Sequence, residues 1–410
     1  MANRIKQLST YPESPALPRS IVLLFSIACG LSVANVYYAH PLLDTMARAF
    51  AIERGTIGIV VTITQIGYAL GLIFIVPLGD LMDRRRLIVG QAILSAVALV
   101  AVGTASNTTI LLAGMFVVGL LAVVVQVLVA FAATLAAPGE RGRVVGVVTS
   151  GVVIGILLAR FLSGALADLD GWRSVYLVSA GFTLIMALLL FQALPPHSST
   201  TPVSSYRELL SSIVPLFREE PVLRARSLLA LLIFAAFNVL WAPLALPLGA
   251  PPFSLSHTAI GMFGLAGVAG ALAAGQAGRL ADRGLGQYAT GLSLGLMLVA
   301  WLPIAFMGVS LWALTVGVMI LDLGIQAVHV TSQSMLFALR PEARSRLVGV
   351  YMFFYSIGSG SGAIAATTVY AHAGWYGVCA LGTALSGLAL LFWVWMRHPT
   401  PATLAQSLPN

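Results

Sequence analysis

Charge is scarce in this sequence: Asp, Glu, Lys and Arg make up 9% of its 410 residues, against 59% hydrophobic residues, and the mean hydropathy is +0.96. Soluble domains carry about 25% charged residues, so most of this chain's surface cannot face water. Cysteine is nearly missing too: Cys29 and Cys379 lie in separate apolar runs and outline no disulfide framework. Motifs for other chemistries are also absent. The chain has no G-x-x-x-x-G-K-[ST] phosphate loop, no H-E-x-x-H zinc site, and no paired intramembrane aspartates or nucleophile set beside a base. ATP-driven work and membrane-embedded enzymology therefore lose their sequence support, and no cofactor or metal is expected.

What is present is hydrophobic length. A bilayer core about 30 Å thick takes about 20 apolar residues per helix. Twelve such spans are predicted, at 20–44, 55–78, 87–105, 109–133, 144–167, 173–195, 227–249, 258–277, 287–307, 311–337, 347–370 and 376–396. The expected fold is an all-α membrane protein with tails at 1–19 and 398–410, six-helix units at 20–195 and 227–397, and a linker at 196–226. Within the linker, Tyr206, Leu209, Leu210, Ile213, Val214 and Phe217 recur at helical spacing, which predicts a helix lying on the inner membrane surface.

The net charge of +8 and the pI near 9.9 raise the question of nucleic acid, and the positions of the basic residues answer it. Of 22 Lys and Arg, 18 fall in the tails, the linker and the loops that follow even-numbered spans. Under the positive-inside rule those segments are cytoplasmic. This places both termini inside a cytoplasmic (inner) membrane and gives the charge to topology, with no nucleic-acid partner. A basic start followed by an apolar run also fits a cleavable signal, but removing the first span would destroy an internal repeat.

That repeat appears when the chain is slid on itself by 203 residues. Asn35-Val36 then falls on Asn238-Val239, Gly58 on Gly261, Arg141 and Arg143 on Arg344 and Arg346, and Gly171-Trp172 on Gly374-Trp375. Charged pairs in register across six spans point to a duplicated six-helix unit. Between spans 2 and 3 the chain reads Gly79-Asp80-Leu81-Met82-Asp83-Arg84-Arg85-Arg86, echoed at Gly278-Arg279-Leu280-Ala281-Asp282-Arg283 between spans 8 and 9. The motif G-x-x-x-D-R-x-G-R-R at that place, with the repeat and the span count, resembles the major facilitator superfamily, in particular its bacterial drug/proton antiporters. The resemblance implies two pseudo-symmetric six-helix bundles that expose a central site alternately to either side. It also implies cytoplasmic latches, Asp83 with Arg84 meeting the helix that begins near Arg344 and Arg346, and Asp282 with Arg283 meeting the one near Arg141 and Arg143. A helix start favours a carboxylate because its first peptide N–H groups are unpaired.

Candidate site residues follow from polarity inside the spans. Asp322, Gln326, His329 and Gln333 of span 10 fall within an arc of about 60° at 3.6 residues per turn, a stripe that must face a pathway or a partner. Asp322, near the middle of its span, is the first candidate for carrying a proton; His329 and Arg160 of span 5 are the further candidates, Arg160 with snorkelling to the outer headgroups as its alternative. The repeat mate of His329 is Gln126, and spans 1 and 7 supply Asn35 with Tyr38 and Asn238 with Trp241. An amide beside an aromatic ring suits an organic ligand, giving area plus directed hydrogen bonds; helix-to-helix bonding is the alternative. The substrate-binding set is therefore Asn35, Tyr38, Gln126, Asn238, Trp241 and Gln326. The family's antiporters carry G-x8-G-x3-G-P-x-x-G-G in span 5. The matching positions are Gly146, Gly155, Ala159, Arg160, Ser163 and Gly164, so an arginine replaces the proline, and Met115 stands where those antiporters place an arginine in span 4. The expected function is secondary transport of a small organic molecule by a monomer in the lipid bilayer, as proton-coupled efflux, with proton-coupled uptake the alternative. A sensor or enzyme would be a different class, and no catalytic residue is expected.

Overall fold

The computed structural model describes residues 17–137, 140–195, 206–267, 280–339 and 344–397. Those residues form helices and turns without a strand. In chain order the spans are α1 (Arg19–Phe50), α2 (Ile59–Phe74), α3 (Arg84–Gly103) and α4 (Thr108–Leu135), then α5 and α6 as the two arms of Arg141–Ala193. The second half holds α7 (Pro221–Leu248), α8 (described over 257–267), α9 (Gly286–Ala305), α10 (Leu311–Leu339), and α11 and α12 as the arms of Arg344–Arg397. Twelve spans thus form two pseudo-symmetric six-helix bundles.

Local chemistry sets where the helices stop and turn. Asp83, Asn107 and Ser256 cap α3, α4 and α8, their side chains accepting backbone N–H bonds from Arg86, Ile110 and Ala259. The arms α5/α6 turn at Gly171 (φ 76°) and α11/α12 at Gly374 (φ 62°), positions 203 apart, where the left-handed backbone favours glycine. The same symmetry governs two interruptions. In α1 the regular helix ends at Tyr37 and a 3-10 turn follows at His40–Leu42; in α7 it ends at Trp241 and resumes at Ala245. Pro41 and Pro243 lie in these breaks, and each lacks the N–H that would continue the ladder.

Between helices the packing is backbone to backbone. A Cβ built on Gly119 of α4 would lie 1.9 Å from the Thr64 carbonyl oxygen of α2, and one on Gly67 would lie 2.1 Å from the Phe116 oxygen. Gly151 and Gly155 hold α5 against Ser26 and Gly30 of α1, and Gly358 and Gly362 hold α11 against Leu231 and Ala235 of α7. Small residues serve this purpose in lipid, where packing has to replace the hydrophobic drive between helices.

The halves meet directly at the end of the molecule remote from the termini. There Gly58 N–H donates to Thr367 Oγ1 (3.2 Å), Thr62 Oγ1 to the Gly360 carbonyl (2.7 Å) and Thr368 Oγ1 to the Gly55 carbonyl (3.0 Å), joining α2 to α11. At the termini end a cavity of about 270 Å³ separates α2 from α11, between Leu72, Val76, Val350 and Phe354. Two short linker helices, Tyr206–Ser211 and Ile213–Glu219, lie at this end, and the second borders the cavity. Ile213 and Val214 line it and Phe217 stacks on Phe354 at 5.3 Å, while the Tyr206 hydroxyl of the first donates to the Phe74 carbonyl at 2.9 Å. Residues 196–205 of the linker lie outside the described residues.

The crossings give a first test. Gly119→Ala should lower the thermal unfolding temperature of the detergent-purified protein, by an overpacking penalty of about 1–3 kcal/mol. Gly181→Ala in α6, whose added Cβ meets nothing within 4 Å, should leave that temperature unchanged or slightly raised. Equal temperatures for the two variants would show that the α2–α4 contact does not constrain the fold.

Candidate functional site

The interruptions in α1 and α7 face one another across the seam between the halves, and His40, Asn238 and Trp241 sit at them. His40 Nε2 lies 3.1 Å from Asn238 Oδ1, and its Nδ1 lies 3.2 Å from the Tyr37 carbonyl oxygen. Trp241 carries two further contacts. Its indole N–H donates to Asp322 Oδ1 of α10 at 3.3 Å, and the Arg160 guanidinium of α5 lies 3.8 Å from the centre of its ring. Tyr37 and Phe237 stand 5.1 and 5.2 Å from the same guanidinium. Arg160, Trp241 and Asp322 are 2%, 2% and 5% exposed, so one indole separates two buried charged groups of opposite sign, which make no ion pair within 4.0 Å. A desolvated cation over an aromatic face gains about 2 kcal/mol or more, and the N–H of the same ring satisfies one carboxylate oxygen.

Helix α8 makes the room. Cβ atoms on Gly261, Gly264 and Gly267 would run into the Arg160 carbonyl oxygen (2.3 Å), Arg160 Cβ (3.1 Å) and Asp322 Oδ2 (2.8 Å) respectively. Over Phe263–Gly267 the chain takes 3-10 turns, whose three residues per turn put glycines at that spacing on one face.

From this point a polar and aromatic chain runs toward the termini end. The Tyr37 and Tyr355 hydroxyls lie 2.5 Å apart, and the Tyr355 ring packs on Phe234 at 4.0 Å and near Tyr68 at 6.4 Å. Gln126 donates to the Tyr68 hydroxyl at 3.4 Å. His329 places Nδ1 2.9 Å from the Tyr351 hydroxyl and Nε2 3.2 Å from Gln333 Nε2, so both ring nitrogens are engaged within the second half. Gln326 is half-buried between Asp322 and His329 on α10.

Two expected site residues do not join this chain. Asn35 accepts from Ser179 Oγ at 2.7 Å, and Tyr38 packs edge-on against Tyr176, both inside the first half. The candidate gating residues at the termini end have local partners. The Asp83 carboxylate caps its own helix at 3.0 Å, while Arg84 donates to the Gly79 carbonyl (2.9 Å) and to Thr134 Oγ1 (2.8 Å). Arg143 pairs with Glu140 at 2.8 Å and Arg346 donates to Ser212 of the linker at 2.9 Å. Arg141 and Arg283 are exposed, and the side chains of Asp282 and Arg344 lie outside the described residues.

A carboxylate does bridge the halves at a helix start, but at the remote end. Asp168, in the last turn of α5, accepts from the backbone N–H groups of His257 (3.1 Å) and Thr258 (2.8 Å) and from the Thr258 hydroxyl (2.6 Å). Its Oδ1 lies 2.7 Å from His257 Nδ1, and His257 Nε2 lies 2.7 Å from Thr45 Oγ1 of α1. Neither this latch nor His40 is among the residues that sequence reasoning singled out. Signals for both exist: His40 is a polar residue next to proline inside an apolar run, and Asp168 closes a span just before a turn glycine. Asp168→Ala should shift the balance toward states parted at this end. A loss of about 1–2 kcal/mol corresponds to a factor of roughly 5–30, readable as a longer distance between labels on the remote ends of α5 and α8. An unchanged distance distribution would remove Asp168 from the closure.

Comparison with known proteins adds an independent view of this architecture. The family model described as Major Facilitator Superfamily matches residues 24–283 and 227–409. A putative uncharacterized transporter of Escherichia coli strain K12, YgaY, is 45% identical over 384 residues, covering 94% of this chain and 97% of that protein. A probable sugar efflux transporter of Helicobacter pylori strain G27 is 23% identical, with 91% and 94% covered. Among solved structures, a bacterial homolog of the human lysosomal transporter Spinster, inward-facing and unoccupied, superposes with a TM-score of 0.77 at 16% identity, covering 94% of this chain and 97% of that one.

Proposed function

The chain belongs to the Major Facilitator Superfamily and is a multi-pass membrane transporter of that type; from that premise we propose that it exports a small organic molecule by alternating access, in exchange for protons. The observation that carries this reading is the buried carboxylate of Asp322 at the seam, held through Trp241 beside Arg160. An ionisable group in hydrocarbon is unfavourable unless it has a partner or a task. Among the described residues Asp322 makes one hydrogen bond, so its charge is able to change without dismantling a network. Gln126 and His329 extend the pathway toward the termini end, and Asn238 and Trp241 border the site. Export is supported by the Helicobacter pylori relative, a probable sugar efflux transporter, while the span-5 pattern, with Arg160 in place of proline and Ala159 and Ser163 in place of glycines, departs from that of the antiporters.

In this reading both termini are cytoplasmic, the membrane is the inner one, and the protein works as a monomer divided at 20–195 and 227–397 around the linker. The termini-end cavity is then the cytoplasmic opening, and the Asp168 latch closes the outer side. Asp83, Arg84, Asp282, Arg283, Arg141, Arg143, Arg344 and Arg346 are assigned to the opposite closure, which forms when the outer one parts.

Uptake together with a proton is the second reading, favoured by one observation. Arg160 and Asp322 flank the same indole, so protonating Asp322 leaves the Arg160 charge uncompensated and receptive to an anionic cargo.

The test is flux in proteoliposomes, using a compound that stabilises the purified protein. Asp322→Asn should reduce pH-driven flux to the leak level and spare counterflow of the same compound. Undiminished pH-driven flux would take Asp322 out of the coupling mechanism. The sign of the pH gradient that accelerates flux decides between exchange and uptake.

A further inference from the structure

Arg160 is a two-pronged donor without an acceptor. Its Nε and Nη2 atoms are buried and have no hydrogen-bond partner among the described residues. These two nitrogens share one edge of the guanidinium, with N–H bonds side by side, which is the edge that grips a carboxylate or phosphate through two parallel bonds. Leaving such donors open inside a membrane protein is strongly unfavourable.

The surroundings offset the charge but not the missing acceptor. Trp241, Tyr37 and Phe237 present ring faces to the cation, at 3.8, 5.1 and 5.2 Å, and a ring face offers an N–H at most a weak contact in place of an oxygen acceptor. Asp322 accepts from the indole N–H at Oδ1 and makes no ion pair with the guanidinium within 4.0 Å. A purely structural arginine would turn its open edge to that carboxylate. Beside Arg160 lies a gap of about 10 Å³ bordered by His40, Trp241, Leu244 and Ile260, room for about one water molecule. Its walls come from both halves, and it sits where α1 and α7 are interrupted. Any motion that parts α1 from α7 and α5 from α8 enlarges it.

We propose that the Nε/Nη2 edge of Arg160 anchors the anionic group of the cargo, a carboxylate or another planar oxyanion, while Trp241, Tyr37 and Phe237 receive its apolar or aromatic body. The cargo is thus a small organic anion. A cation would be repelled by Arg160, and a neutral polyol would supply acceptors without the charge that makes two parallel bonds to a guanidinium strong. This assignment rests on the transporter reading and narrows its substrate class.

Matched acid and amide probes test it by binding alone. Benzoate and indole-3-acetate are compared with benzamide and indole-3-acetamide, which keep the shape and lose the charge. Calorimetric titration and thermal unfolding of the purified wild-type protein should show the acids binding at least about tenfold more tightly than the amides. Arg160→Lys keeps a cation but loses the parallel edge, and should weaken acid binding by about tenfold or more. Arg160→Gln should abolish it.

Three results would overturn the proposal: amides binding as well as acids, acid binding unchanged in Arg160→Lys, or no binding of either acid at millimolar concentration. The wild-type acid/amide comparison decides even where a variant fails to fold. Robust flux of a neutral compound with no acid binding would sink the anion assignment and keep the transporter. Tight acid binding with no flux of any compound would do the reverse.

Discussion

Helices in lipid gain little by turning apolar side chains toward each other, so this bundle depends on bringing backbones within contact of one another. The contacts are carbonyl oxygens against α-carbons: Thr64 on Gly119, Phe116 on Gly67, Ser26 on Gly151, Leu231 on Gly358. The same contact joins the two halves. Gly58 of α2 meets the Ala363 carbonyl of α11, and Gly261 of α8, its mate under the 203-residue repeat, meets the carbonyl of Arg160, the mate of Ala363. Because interfaces of this kind have no long side chains to stretch, they hold in register or separate. The two halves are therefore suited to part as rigid bodies.

The duplication also shows how the charges were accommodated. In the first half the crossing of α2 and α4 sets a large residue, Thr64, against a small one, Gly119. At the equivalent crossing of α8 and α10 the sizes are exchanged: Gly267 replaces Thr64 and Asp322 replaces Gly119. Arg160 likewise replaces Ala363 and spreads its side chain under Gly264. Both departures from symmetry place a charge opposite a glycine of α8, and Trp241 then stands between the two charges. The frame is symmetric and the electrostatics are not.

Much of this was legible in the residues. Apolar length and the repeat were enough for the helix count and the fold, and the repeat paired Gly171 with Gly374, the positions at which the arms turn. The polar face of α10 followed from its 3.6-residue period. The meeting of Asp322 and Arg160 at one indole was not legible, since it depends on how α5, α7 and α10 pack around the glycines of α8. Helix starts were blurred where charge lies inside the helix. The helix of α7 begins at Pro221 although hydropathy starts the span at 227, because Arg224 and Arg226 read as loop residues. In the structure Arg226 is buried and donates to Thr290 at 3.0 Å. For Asp83 the family resemblance implied a meeting with the start of a helix in the other half, not with its own. In this conformation it caps its own, and the carboxylate found at another half's helix start is Asp168, which the family motif does not mark.

The position of Asp168 ties closure to the site. It lies eight residues beyond Arg160 on α5, about 12 Å along the same rod. Its partners His257 and Thr258 open the helix that continues into Gly261, Gly264 and Gly267. One face of α5 and one face of α8 therefore carry both the latch and the cover over Arg160. A displacement that breaks the Asp168 bonds must also lift Gly261 from the Arg160 carbonyl and Gly264 from its side chain. On the other pair, α2 with α11, the mate of Asp168 is Ala371, which lies against Gly55, and the closing bonds are neutral ones from threonine hydroxyls and a peptide N–H. The charged closure thus sits on the helix pair that covers the buried arginine. On the proposal that Arg160 anchors the cargo, release on that side follows the opening of the latch, so access and occupancy would be set by one movement rather than two.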